Sequence, residues 1–319
     1  MITKGIGATT HLDLHNCRLS REMLEELVNN INNEKYAIRM GIEHDSSIMP
    51  IGKILRGKII ELEEGESAVE IEQEIFEEIG TYIDPLNRIW HITGSYRDTR
   101  PFADAQMEKA DNIKVSIDPI NFSQTGYEKL WDFYEQECQI DVECSMRKAV
   151  IPIPEIVITL MSGTFAVMVG KKIAEKMSEH VADDIVKIYD LIKKIVLETL
   201  KYIKKDNRPV TYLVRERGEA FLLELAVITE KPECLFEALS SEKICQIEKE
   251  IDDFINNFDV EIDKIQCLYN KEPGKWEINY VSTKEGKVIG SEKCYRKTVE
   301  LRKQMGTGLS IGMSVKVDK

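Results

Sequence analysis

Apolar side chains recur along this chain with two different periods, and the change of period falls near its middle. In the first half short alternating stretches dominate. A strand is predicted over 9–14, with Thr10, Leu12 and Leu14 on one face and His11, Asp13 and His15 on the other. A helix follows behind Ser20, a good N-cap residue, because Met23, Leu24, Leu27, Val28 and Ile31 step by three or four. Further strands are predicted over 36–42 and 51–62. After the turn Glu63-Glu64-Gly65-Glu66, Val69, Ile71 and Ile75 alternate with Glu70, Glu72 and Glu74. Residues 88–95 and 113–117 read as strands separated by a polar loop with Arg97, Asp98, Arg100 and Pro101, and 127–137 reads as a short helix.

The segment Ile151-Pro152-Ile153-Pro154 suits neither helix nor central strand, since each proline removes a backbone donor and biases its predecessor toward extended geometry. It marks the expected boundary between a β-rich domain over 1–150 and a second domain over 151–319. Beyond it the helical period takes over. Ile173, Met177, Val181, Ile185, Ile188, Ile192, Ile195, Leu200 and Ile203 describe one long amphipathic helix, ended by Asn207-Arg208-Pro209. Strands over 210–214 and 220–228, a helix over 245–258, and strands over 264–269, 276–282 and 287–289 complete the pattern, with turns at Pro273-Gly274 and Glu285-Gly286. Strands and helices mix without strict alternation, which predicts an α+β fold.

Composition narrows the function classes. The 319 residues fit two domains at roughly 100–200 residues each, and 43% hydrophobic with 31% charged residues is the balance of a folded globular chain. A net charge of −13 argues against a generic nucleic-acid partner. Seven cysteines, an odd number without tight pairing, read as reduced thiols, and the N-terminus lacks an apolar export segment, so a cytoplasmic setting is expected. The longest uncharged run, between Glu155 and Lys171, is shorter than the ~20 apolar residues of a membrane-crossing helix. Trp90, Trp131 and Trp276 are expected in the core. Phosphate-loop and dinucleotide fingerprints are absent, and Gly286-Lys287-Val288-Ile289-Gly290 lacks their spacing, so no cofactor is expected.

The most informative string runs from Gly41 through Ile42-Glu43-His44-Asp45-Ser46-Ser47-Ile48-Met49-Pro50 to Ile51-Gly52-Lys53-Ile54, after the strand with His and Asp and the helix behind Ser20. This order resembles the N-terminal part of the tailed-phage prohead proteases, over about the first quarter of the chain. The resemblance implies a barrel-like β-rich fold and a serine endopeptidase with His44 as general base. It also implies a nucleophile in one of two strings, Glu143-Cys144-Ser145-Met146 or Gly308-Leu309-Ser310-Ile311-Gly312, both displaced from the family's order. Ser145 or Ser310 would then attack, and Asp45 or Asp13 would fix the tautomer of the imidazole.

Other readings stand beside it. His11, Asp13 and His15, at period two on one strand face, present a metal-ligand set to which His44 could add a fourth donor. A non-enzymatic interaction or sensor protein, phage- or defence-related, is the alternative function. A third is a membrane-active effector built on residues 156–205, although the mixed charge on that helix suits water better than anionic lipid. The partners expected are a protein substrate or protein partner, with self-association into a homo-oligomer compatible.

Overall fold

Ser20 caps the first helix as the spacing predicts: its side chain accepts a hydrogen bond from the Met23 amide at 3.3 Å. The computed structural model describes residues 1–12, 18–42, 45–147, 154–168, 180–204, 208–305 and 314–317. Strands β1 (Ile2–Thr9), β2 (Ile38–Met40), β3 (Gly52–Glu61) and β4 (Ser67–Ile75) form an antiparallel sheet in the order β1-β4-β3-β2, and helix α1 (Arg21–Ile31) lies on it. Leu24, Leu27 and Ile31 of α1 are buried with Ile54, Val69 and Ile71. Alternation along β4 puts Val69, Ile71 and Ile75 inside, and Glu70, Glu72 and Glu74 on the wetter side.

Two expectations for this region are corrected. Among the described residues the sheet is open, with β1 and β2 at its edges, where the resemblance implied a barrel. The first strand also comes earlier than predicted. It runs over Ile2–Thr9, pairing Ile2 with Glu74 and Thr9 with Ala68, whereas His11 and Leu12 lie beyond its end and are exposed. Backbone pairing with β4 fixes the strand over Ile2–Thr9, ahead of the alternation that begins at Thr10.

Among the described residues the second sheet has eleven strands. In chain order its elements are β5 (Glu77–Ile83), β6 (Ile89–Gly94), β7 (Lys114–Ile117), α2 (Gln124–Asp132), β8 (Asp141–Arg147), β9 (Glu155–Thr159), α3 (Thr164–Met168), α4 (His180–Tyr202), β10 (Val210–Arg217) and β11 (Leu222–Thr229). They continue through α5 (Pro232–Ala238), α6 (Ser241–Asn257), β12 (Ile262–Asn270), β13 (Lys275–Thr283), β14 (Val288–Ser291), α7 (Glu292–Met305) and β15 (Ser314–Val317). The spatial order is β15-β8-β7-β9-β10-β11-β12-β13-β14-β6-β5.

Pairs β7/β8, β9/β10 and β11/β12 are parallel, and each is bridged by helices, as parallel neighbours require. Ile192, Ile195 and Val196 of α4 and Ile247, Ile251 and Phe254 of α6 pack with Ile158, Val214, Leu225 and Ile265 of the strands. The other face of the sheet is left to a different use. All three tryptophans are buried, and no helix among the described residues is long and apolar enough to cross a membrane.

The boundary expected at 150 does not divide this sheet. β7 and β8, which precede it, and β9, which follows it, are joined by hydrogen bonds, and β6 pairs with β14. Residues 151–153 and the first part of the predicted long helix, 169–179, lie outside the described residues. Helices α5 and α7 were not anticipated.

Candidate functional site

The face of the second sheet turned away from α4–α6 carries a row of polar side chains assembled by register alone. Thr159 of β9 is paired with Arg215 of β10, Arg215 with Glu224 of β11, Glu224 with Gln266 of β12, and Gln266 with Tyr280 of β13. Side chains of paired residues share a face, so five strands contribute neighbours to one stripe. Between this stripe and the edge of the first sheet lies a cavity of about 640 Å³. Its charged wall includes Arg39, Asp104, Glu155, Arg215, Glu224 and Lys264.

These charges pair closely. Lys264 Nζ lies 2.8 Å from Glu224 Oε1 and 3.2 Å from Asp104 Oδ2. Arg39 Nη1 donates to the Tyr280 hydroxyl at 3.0 Å and stands 3.7 Å from Asp104 Oδ2, while Arg215 Nε donates to Thr159 Oγ1 at 2.9 Å. Ser46 Oγ donates to Glu155 Oε2 at 2.5 Å. Burial alone would raise the Glu224 and Asp104 carboxyls. The neighbouring Lys264 overrides it in both, with Arg39 assisting at Asp104, and both acids stay below their ordinary range. Burial likewise works against the Lys264 ammonium, yet Glu224, Tyr280 and Asp104 hold it protonated, and its pKa is raised. The wall therefore carries fixed charges of both signs in a partly desolvated space.

The loop before β3 closes one side of the cavity and is pinned to the second sheet. Gln266 Nε2 donates to the Ser46 carbonyl at 2.7 Å and to Glu224 Oε1 at 2.7 Å. Asn279 Nδ2 donates to the Ser47 carbonyl at 2.8 Å and to Gln266 Oε1 at 2.7 Å. From α7, Lys297 Nζ donates to Ser47 Oγ at 2.7 Å and pairs with Asp45 Oδ2 at 3.1 Å.

Two of the residues singled out from sequence meet here: Asp45 and Ser145, from the loop and from β8, both line the cavity. The Asp45 carboxylate is engaged locally, accepting from the Ser47 amide at 2.9 Å and the Ser47 hydroxyl at 2.5 Å besides Lys297. His44, Asp13, His15 and Ser310 lie outside the described residues. His11 is exposed past the end of β1, and among the described residues no group of three or more His, Cys, Asp or Glu side chains is placed to hold a metal ion.

The residues that dominate the wall, Arg39, Glu155, Arg215, Glu224 and Lys264, were not singled out in the sequence. A signal for them existed. Glu224 interrupts the apolar run Leu222–Thr229, and Lys264 and Gln266 interrupt Ile262–Asn270; charged or amide side chains inside strands covered on both faces must have polar partners. Compared with protein-family models, curated proteins and solved structures, the chain finds no match in any of the three.

Proposed function

We propose that this chain is a binding protein for a short, peptide-like ligand, an interaction or sensor module whose recognition site is the cavity between its two sheets. The observation that carries this reading is the set of charges, buried Lys264, Glu155 and Glu224 with half-buried Arg39, Arg215 and Asp104, around a space of about 640 Å³. Small-molecule sites usually enclose about 300–1,000 Å³. An apolar ligand would strip water from these groups without replacing it, and a polyanion would meet the carboxylates of a chain already at −13. Amide groups with charged ends match both signs, and Asn30 at the wall offers a side-chain amide to pair with a peptide bond. The six cysteines among the described residues stand outside any disulfide, which supports a reducing, cytoplasmic setting.

Affinity selection from a pool of short peptides, followed by calorimetry, tests the reading. Arg215→Gln should weaken the selected peptide by about tenfold or more, as expected for one charge-assisted hydrogen bond of about 1.5–3 kcal/mol. A pool that yields no binder, or a binder indifferent to Arg215, would discard it.

A second reading, peptide-bond cleavage in the same cavity, is favoured by the presence of both Asp45 and Ser145 on its wall. It takes His44 as the base and Ser145, or else Ser310, as the nucleophile, as in the prohead proteases the N-terminal string resembles. Labelling with a serine-reactive fluorophosphonate and sequencing of the labelled peptide decides between the two serines. Loss of label in His44→Ala supports catalysis, and an unlabelled native protein sinks it.

A further inference from the structure

A second, smaller cavity of about 210 Å³ lies on the opposite side of the pinned loop, between Met49–Ile51, the corner at Phe76, strands β5 and β6, and helix α7. Three features set it apart from a packing gap. Its floor is apolar, with Met49, Ile51 and Phe76 buried and Val299 beside them. Its walls carry opposite charges: Glu77 and Glu78 from β5, and Arg302 from α7. The third is an orphan, because Thr93, only 6% exposed, lines the cavity while its Oγ1 is buried without any hydrogen-bond partner. A buried hydroxyl left so is destabilising, and a hydrogen-bonding ligand atom would relieve it.

The charged groups are held in place. Glu78 accepts from His91 Nδ1 at 2.7 Å and Thr81 at 2.8 Å on one oxygen, and from the Tyr295 hydroxyl at 3.0 Å on the other, while the His91 ring stacks on Tyr295 at 4.0 Å. Arg302 Nη1 donates to the Phe76 carbonyl at 3.3 Å, which spends one of the five N–H donors of the guanidinium. Glu77, largely exposed, stands 3.7 Å from the Met1 ammonium.

We propose that this cavity is a binding site for a free α-amino acid with an aliphatic side chain. The ligand carboxylate pairs with the remaining donors of Arg302, its ammonium meets the Glu78 carboxylate, which shares a strand face with Thr93, Thr93 Oγ1 gains its missing hydrogen bond, and the side chain covers Met49, Ile51, Phe76 and Val299. Size agrees, since 210 Å³ is room for about seven waters. That suits a leucine-sized molecule. Charge decides the rest, because an uncharged apolar molecule would desolvate Arg302 and Glu78 with nothing in return.

Calorimetric titration of the full chain with L-leucine, L-leucinamide and 4-methylpentanoate tests this directly. Leucine should bind, and the amide, which lacks the carboxylate, and the acid, which lacks the ammonium, should each bind about tenfold weaker or worse. Thr93→Val, which removes an unpartnered hydroxyl at nearly constant volume, should raise the melting temperature of the ligand-free protein while weakening leucine several-fold. A hydroxyl that served the fold alone would do the reverse. Arg302→Gln should erase the preference for leucine over its amide. No binding of leucine at millimolar concentration, equal binding of leucine and leucinamide, or undiminished binding to a cavity-filling Val299→Trp protein would each overturn the proposal.

Discussion

Lys264 and Glu224 meet at 2.8 Å with both side chains only 4% exposed, on adjacent parallel strands beneath the larger cavity. One cation here serves two acids, since Asp104 Oδ2 also lies 3.2 Å from the same nitrogen. Breaking a buried pair by deleting one member typically costs about 3–5 kcal/mol, because the other charge stays buried without compensation. The two deletions should therefore be unequal. Lys264→Met leaves Glu224 with only the Gln266 amide and the field of Arg215, and Asp104 with Arg39 and Arg215, whereas Glu224→Leu leaves Lys264 still paired to Asp104. Urea unfolding should show Lys264→Met as the more damaging change, with the double variant far less destabilised than the sum of the two singles. Additive losses would mean that the two charges do not depend on one another.

That pair shows why the elements were legible in the sequence and the site was not. Helix α1 announces itself through Ser20, Met23, Leu24, Leu27 and Ile31, all local signals, and the turns at Gly274 and Gly286 adopt the positive φ that their glycines permit. The wall of the cavity has no local signal of that kind. Arg215, Glu224, Gln266 and Tyr280 become neighbours only through three strand registers, and Arg39 and Asp104 reach them from the first sheet and the loop after β6. Within Leu222–Thr229, Glu224 shows only that something polar must face it, and nothing nearby says what.

The same failure governs the strand predicted over 9–14. Its alternation of polar and apolar residues is real, but the hydrogen-bonding partner β4 is consumed by residues 2–9, starting from the Met1 ammonium on the Ile75 carbonyl at 3.0 Å. Pairing across 70 residues of sequence is a tertiary choice that a local period cannot report.

The cysteines provide a footprint of the larger cavity. Burial pushes the Cys294 thiol up to about 11, and the fully buried Cys267 is raised as well, so neither has an appreciable thiolate fraction or an open approach at neutral pH. Cys144, partly exposed, lines the cavity next to Ser145. Brief alkylation of the native protein with iodoacetamide, read by peptide mass spectrometry, should therefore modify Cys144 and spare Cys267 and Cys294. A saturating peptide should protect Cys144. Modification of Cys294 before Cys144 would contradict the packing of α7 against the pinned loop.

Lys53 holds the two sheets together through a buried ammonium, and its titration has a definite sign. The side chain is 0% exposed; Nζ donates to the Asp98 carbonyl at 2.7 Å and to the Arg100 carbonyl, with Asp98 Oδ1 at 3.8 Å. The turn that covers it needs Gly286, whose φ is +67° and where a Cβ would collide with Lys53 Nζ and the Arg100 carbonyl. Burial, opposed by Asp98 and reinforced by Arg100, pushes Lys53 down to about 8 from an ordinary 10.5. Below pH 8 both folded and unfolded chains carry the proton, and the folded one bears the cost of burying it. Between pH 8 and 10.5 the unfolded chain keeps a proton that the folded chain releases, so this group adds stability as pH rises. Compared at each pH with Lys53→Met, which has no charge to bury, the native protein should gain about 3 kcal/mol across that window. Gly286→Ala should instead lower stability at every pH, since its strain does not titrate. A native-minus-Met difference that is flat or falls between pH 8 and 10.5 would mean that the carbonyls of Asp98 and Arg100 solvate the ammonium as well as water does.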